Sequence, residues 1–271
     1  MTPGQLLKDT VFWQRIRHKV SLLTNSRENS TFTGFLRLPT QFDALCGPAI
    51  DAVRSHLQQD EPLNITVVGC SNGAEAYTIL SVLSDRRPGL SCHVRGYDIN
   101  ADCVDKARAA IYRREEIFNN KAITSAFVEH TFDRHGDDYV VKPSIAGRAE
   151  FATGDVLSDA LVTTASRSDI VFAQNFLFHL TRDMASRALE NILRMTRPGS
   201  ALLIDGTDLD LRYRFVRRHG LLPVEYEIGR IHDEARWARA AGWPYSYWGL
   251  EPFMTSRRDW QRRYATIFIV P

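Results

Sequence analysis

The residues of this chain that can do chemistry stand at the ends of short apolar runs. In VVGCSNGAEAYTI (67–79) a strand-like run ends in a small loop and a helical pattern follows. Gly69 and Gly73 let backbone N–H groups come close to a ligand, at the positive end of a helix. The spacing is not GxGxxG, so a dinucleotide pyrophosphate is disfavoured. An amino-acid carboxylate suits the loop better, and Glu75 can either meet an ammonium group or cap its helix. Asp98 closes VRGYDIN and can accept both hydroxyls of a ribose or cap the helix after it. In ATGDVL (152–157) Asp155 can accept an adenine amino group while the Val156 N–H donates to a ring nitrogen; Asp155 can equally be an N-cap.

Two further stretches carry reactive side chains. FAQNFLFHL (172–180) presents Asn175 and His179 where the reacting end of a cofactor would lie. A histidine among Phe176, Phe178 and Leu180 is a base or a partly buried structural residue. Before all of these come Thr33, Phe35, Arg37 and Phe42. Arg37 there is a carboxylate fork or a surface charge; spacing alone does not separate the two.

Positioning these loops requires strands alternating with helices. Strands are predicted over 64–69, 92–97, 149–153, 169–173, 201–205 and 264–270. Helices are predicted over 101–112 and 182–195, with a third carrying Ala76, Ile79, Leu80 and Leu83 at helical spacing. Such alternation implies a mostly parallel sheet with helices on both faces, and ligands outside the carboxyl ends of its strands. The first thirty residues read as helical. The 271 residues are 44% apolar and 24% charged, values that exclude disorder, collagen and coiled coil. A net charge of +2 speaks against nucleic acid as a partner. No apolar run is long enough for a membrane span, and no secretion signal is read at the N-terminus. Four scattered cysteines without CxxC spacing predict reduced thiols in a cytoplasmic protein. The eight histidines lack ligand spacing, so no metal is expected.

Taken together, these stretches resemble the class I S-adenosylmethionine-dependent methyltransferases, and more closely the chemotaxis-receptor (CheR-type) protein-glutamate methyltransferases of bacteria. The family's N-x-T-x-F-F-R is matched by TFTGFLR (31–37), continuing LPTQF to Phe42. Its C-S-x-G-E-E-x-Y-S loop is matched by CSNGAEAYT (70–78), and its D-I-x-x-x-x-L-x-x-A-R-x-x-x-Y by DINADCVDKARAAIY (98–112). C-R-N-x-x-x-Y-F corresponds to AQNFLFHL (173–180), and L-x-P-G to MTRPG (195–199). The order holds over roughly residues 30–205, and the last strand extends it.

The resemblance implies a Rossmann-like fold with a mostly parallel seven-stranded sheet and a small inserted β-subdomain. It divides the chain into a helical segment and active-site arm (1–60) and a methyltransferase domain (61–271). Within the latter, 113–150 is the inserted subdomain, which helps receptor methylators dock, and 237–253 an aromatic lid over the acceptor. The implied cofactor is S-adenosylmethionine, leaving as S-adenosylhomocysteine. Thr33, Gly69, Gly73, Glu75, Asp98, Asp155, Val156 and Asn175 would line its site, and Arg37 would position the acceptor carboxylate. Thr31 replaces the family asparagine, Leu36 a phenylalanine and His179 a tyrosine, and the separate N-terminal helical domain is expected to be absent or severely cut. These differences predict a changed acceptor pocket beside a retained cofactor site. The leading expectation is O-methylation of a carboxylate, on a small molecule in the first place and on a protein side chain in the second. The alternatives are N-, S- or hydroxyl-O-methylation with His179 as base, or a non-catalytic binder of S-adenosyl ligands. A homodimer is left open.

Overall fold

The structure, a computed structural model, describes Val20 and residues 33–58, 60–165, 167–240 (side chains to 235) and 252–271. The helix expected over the first thirty residues, Thr31, and most of the aromatic segment 237–253 therefore lie outside the described residues.

Seven strands form the main sheet: β1 (Leu63–Val68), β2 (Cys92–Asp98), β6 (Ala149–Thr153), β7 (Ser168–Gln174), β8 (Thr196–Asp205), β9 (Leu222–Pro223) and β10 (Ile267–Ile269). Their order is β6-β2-β1-β7-β8-β10-β9, and only β10 runs antiparallel to its neighbours. The central strands read as continuous apolar runs because both of their faces are covered. β7 is buried at every position. β1 sends Ile65 and Val67 to one core and Val68 to the other.

Helices cover both faces. On one lie α1 (Pro39–Ala44), a π-turn (Leu45–Ala49) leading into α2 (Ile50–Arg54), α3 (Ala74–Arg86) and α4 (Ala101–Ala109). On the other lie α5 (Arg182–Met195), α6 (Leu209–Arg218) and α8 (Trp260–Tyr264). Helix α7 (Ile228–Ala240) packs on α1 and α8.

A second, antiparallel sheet has the order β3-β5-β4, from Ile111–Arg113, Asp138–Val141 and Phe132–His135. Its first strand starts two residues before the expected boundary at 113, and Ala149–Glu150 already belong to the main sheet. Its aromatic side chains join the first core, where Phe35 meets Tyr112 edge-on at 4.9 Å and Phe132 at 5.2 Å.

Two expected elements end elsewhere. The helix predicted over 101–112 stops at Ala109, because Ala110 turns left-handed (φ +55°) and frees Ile111–Arg113 to pair with β5. The strand predicted over 264–270 is shorter. Tyr264 closes α8, with the Ala265 N–H on the Gln261 carbonyl at 3.0 Å, and its hydroxyl donates to the Pro252 carbonyl.

The register aligns the carboxyl ends of five strands on one edge. Val68 pairs with both Tyr97 and Ala173, Asp98 with Thr153, and Gln174 with Asp205. Between β1 and β7 the winding reverses, and the loops after the two strands part there to open a cleft.

Candidate active site

The loop after β1 makes its turn through three left-handed residues: Gly69 (φ +71°), Ser71 (φ +48°) and Gly73 (φ +85°). A Cβ on Gly69 would stand 2.8 Å from the Phe176 ring, so glycine is required for the approach of β1 to the β7 loop. The Gly69 and Cys70 N–H groups donate to the Tyr97 carbonyl at 2.8 and 3.0 Å, and the Ser71 N–H to Asp98 Oδ2 at 2.7 Å. Asp98 Oδ1 accepts the Asn100 N–H at 2.9 Å. Both Asp98 oxygens are thus held by backbone, and each keeps acceptor capacity toward the cleft. Asp155 is held the same way, its Oδ1 accepting the Leu157 N–H at 2.9 Å, while Asn191 anchors the Val156 carbonyl.

One open cleft, of about 720 Å³ with its mouth included, is lined by Thr33, Arg37, Gly69, Glu75, Asp98, Asp155, Val156, Asn175 and His179. Every expected site residue is there except Gly73. A Cβ on Gly73 would meet Ala107 at 2.9 Å and Phe151 at 3.1 Å. Its glycine lets α3 pack closely on α4 and β6, and Gly73 is not among the residues that line the cleft. The cleft also takes in Ser71, Ile99, Gln174, Phe176 and Leu180, which sequence reasoning did not select. Ile99 and Gln174 each adjoin a selected residue, the only signal they carry.

Arg37 reaches the cleft from a loop in which Leu36 is left-handed (φ +45°) and donates its N–H to Thr78 Oγ at 3.2 Å. Arg37 Nη2 lies 3.4 Å from Glu75 Oε1. The Asn175 amide suits its surroundings with the oxygen toward Arg37, 3.3 Å from both Nη1 and Nη2. These contacts are longer than the 2.7–2.9 Å or so of tight charge-assisted bonds, so the guanidinium is oriented but not saturated. Burial pushes the Glu75 carboxyl above its ordinary range; Arg37 opposes the shift and the charge of Asp205 adds to it. Asn175 is itself left-handed (φ +58°), its N–H on the Asp205 carbonyl at 3.0 Å. A Cβ on Gly206 would come within 2.6 Å of the Asn175 Cα.

The arm carrying Arg37 is also tied from behind. Gln174 Nε2 donates to Gln41 Oε1 at 2.7 Å, and Gln41 Nε2 to Thr266 Oγ1 at 2.8 Å, all three residues being buried. The Thr40 N–H donates to Glu234 Oε2 at 3.1 Å, and the Thr40 hydroxyl to Glu234 Oε1. His179 sits in a 3-10 turn (Leu177–His179), its ring 4.0 Å from that of Phe178.

The lining is rich in carboxylate. Among the described residues, Glu75, Asp98 and Asp155 face the cleft against the single guanidinium of Arg37. That balance suits a ligand carrying positive charge, with an ammonium group at Glu75 and paired hydroxyls at Asp98. S-adenosylmethionine, with its ammonium and sulfonium centres and its ribose, fits this donor and acceptor set. Among the described residues no helix is long and apolar enough to cross a membrane, and Cys46, Cys70, Cys92 and Cys103 are all thiols.

Comparison with known proteins agrees. The protein named "Probable biofilm formation methyltransferase WspC" of Pseudomonas aeruginosa is 27% identical over 214 residues, 76% of this chain and 48% of that one. "Chemotaxis protein methyltransferase 1" of Vibrio cholerae is 27% identical over 154 residues, 54% of each chain. The chain thus spans about half the length of these relatives. The chemotaxis protein methyltransferase of Vibrio parahaemolyticus is 22% identical over 76% of this chain and 74% of its own. Among solved structures, magnesium protoporphyrin IX methyltransferase of Synechocystis, with bound S-adenosylmethionine, matches 82% of this chain and 88% of its own at 12% identity and a TM-score of 0.39; the fold assignment rests on the sheet order above. The family described as "CheR methyltransferase, SAM binding domain" matches residues 31–210, two-thirds of the chain and all of the cleft. The chain therefore belongs to the CheR methyltransferase family and carries its S-adenosylmethionine-binding domain.

Proposed function

We propose that this chain methylates a carboxylate, and that the carboxylate belongs to a protein side chain. When bound, S-adenosylmethionine supplies an electrophilic methyl carbon on a sulfonium. Glu75 would hold its ammonium group, Asp98 its ribose hydroxyls, and Asp155 with Val156 its adenine; Gly69 leaves the room, and Thr33 and Asn175 flank the methionine end. The chain's task is then alignment of the acceptor. A carboxylate is ionised at neutral pH, well above its unperturbed pKa of about 4, and needs no base. A planar guanidinium offers it two parallel N–H donors. The observation that carries the proposal is Arg37 itself, the one guanidinium in the cleft lining among the described residues, turned by Asn175 and Glu75. The names of the chemotaxis relatives favour a protein acceptor over a small molecule.

Incubation with methyl-labelled cofactor and candidate acceptors, followed by mild alkali, tests the proposal. Methyl esters release volatile methanol; N-methyl groups and ethers do not. Label that stays on the acceptor after alkali overturns a carboxylate target. A second possibility rests on His179, which lines the same cleft. With a hydroxyl or amine acceptor His179 would take the proton, and the rate would rise with pH as the imidazole becomes neutral.

A further inference from the structure

The loop between β1 and α3 carries backbone strain. Ser71 is a non-glycine residue at φ +48°, a conformation that persists only where the surroundings over-determine it. Most of its restraints come from the main sheet: the Tyr97 carbonyl, Asp98, and the turn from the Gly73 N–H to the Cys70 carbonyl. One comes from elsewhere. The Tyr112 hydroxyl, on β3 of the small sheet, donates to the Asn72 carbonyl at 2.5 Å. Asn72 is the residue between Ser71 and Gly73, and its own side chain accepts the Ala74 N–H at the start of α3. Tyr112 is fully buried, and burial drives its phenol far above the ordinary range, so it remains a donor at every working pH.

The same ring meets the arm on its other side. Phe35, two residues before Arg37, stands edge-on to Tyr112, and Asn120, between β3 and β4, donates to the Phe35 carbonyl. One side chain therefore touches the small sheet, the loop under the cofactor and the arm that carries Arg37. We infer that Tyr112 is a positioning residue whose hydroxyl couples the small sheet to the cofactor end of the cleft. The coupling is reciprocal, as any linkage between two equilibria must be: what orders the loop steadies the small sheet, and what steadies the small sheet favours the cofactor. It rests on the family's cofactor and is independent of the acceptor.

Tyr112→Phe removes only the hydroxyl and keeps the ring against Phe35. Titration calorimetry with S-adenosylhomocysteine should show about tenfold weaker binding, the scale expected when a buried carbonyl loses its partner. Tyr77→Phe is the matched control. Its buried hydroxyl donates at 2.7 Å to the Ala107 carbonyl, on α4 and not in the loop, so its loss should lower thermal stability comparably and leave affinity within about twofold. In the wild type, hydrogen exchange at Ile111–Arg113 and Asp138–Val141 should slow when S-adenosylhomocysteine binds; in Tyr112→Phe that slowing should vanish. Affinity within twofold of wild type in Tyr112→Phe, or a small sheet whose exchange ignores the ligand in the wild type, overturns the coupling. A wild type that binds no S-adenosylhomocysteine at all refutes the coupling together with the cofactor assignment, and methanol release, scored separately, bears only on the acceptor.

Discussion

At the ends of β2 and β6 two acids of the cleft, Asp98 and Asp155, are held by backbone N–H groups. Asp98 takes N–H groups from Asn100 and Ser71, 2 and 27 residues away, and Asp155 takes one from Leu157, 2 residues away. Around the arm that carries Arg37 the side chains are held across greater spans. Arg37 meets Glu75 over 38 residues, Gln174 meets Gln41 over 133, Thr40 meets Glu234 over 194, and Gln41 meets Thr266 over 225. The first half is made of turns that carry their ligand atoms with them. The second half exists only when distant segments have packed, so its shape can change without disturbing the first.

The largest test of this division is kinetic. For a carboxylate acceptor, Arg37→Lys should lower kcat/KM roughly 100-fold, the scale of one lost transition-state donor. His179→Phe should cost less, and the wild-type rate should show no inflection in the histidine range. A steep His179 defect beside a mild Arg37 one would transfer the chemistry to a protonated acceptor. Next, Asp98→Ala should weaken S-adenosylhomocysteine by roughly 10- to 100-fold in calorimetry, as expected for lost bonds to a charged group. An unchanged constant would show that the first half does not hold the cofactor.

Smaller in effect, Gln41→Leu strands the Gln174 amide and the Thr266 hydroxyl, at a cost of roughly 1–3 kcal/mol in chemical denaturation. Affinity for S-adenosylhomocysteine should stay within about threefold, a difference near 0.7 kcal/mol. A parallel collapse of affinity would show that the halves are not separable. The smallest effect concerns Glu75. Its carboxyl is raised in the fold, so its contribution favours the folded state below the ordinary carboxylate range and is lost as pH rises through the raised value. Glu75→Gln should therefore match or exceed the wild-type melting temperature at pH 7, and that advantage should shrink toward pH 4. A variant less stable than wild type at pH 7 would mean that the Arg37 contact outweighs the burial of the charge.

The same contrast in span explains what could be read before the fold was known. Gly69, Glu75, Asp98 and Asp155 stand at the junction of an apolar run and a helical pattern, and both the run and the pattern are local. The parallel sheet follows from their repetition. Nothing in a periodicity says which distant amides meet, so Gln41, Gln174, Thr266 and Glu234 went unselected. Gly73 was legible as a turn but not as a contact, because its neighbours Ala107 and Phe151 come from other elements. The end of α4 was missed because Ala110 takes the left-handed cap that glycine usually announces. Tyr264 was assigned to the last strand because RYATIFIV alternates no differently where α8 ends.

β10 lies between β8 and β9 in the sheet and after both in the chain. On a ribosome adding ~5–20 residues per second, β8 and β9 emerge seconds before the strand that joins them. Until then both present unpaired edges, the kind of edge that invites pairing with another chain. Thr266 arrives with β10, so the Gln174–Gln41–Thr266 relay closes at the same moment. A nascent chain stopped short of that point would carry every loop that meets the cofactor and lack the anchor behind Arg37. In order of synthesis, the loops that line the cleft are complete before the relay that braces Arg37 behind it.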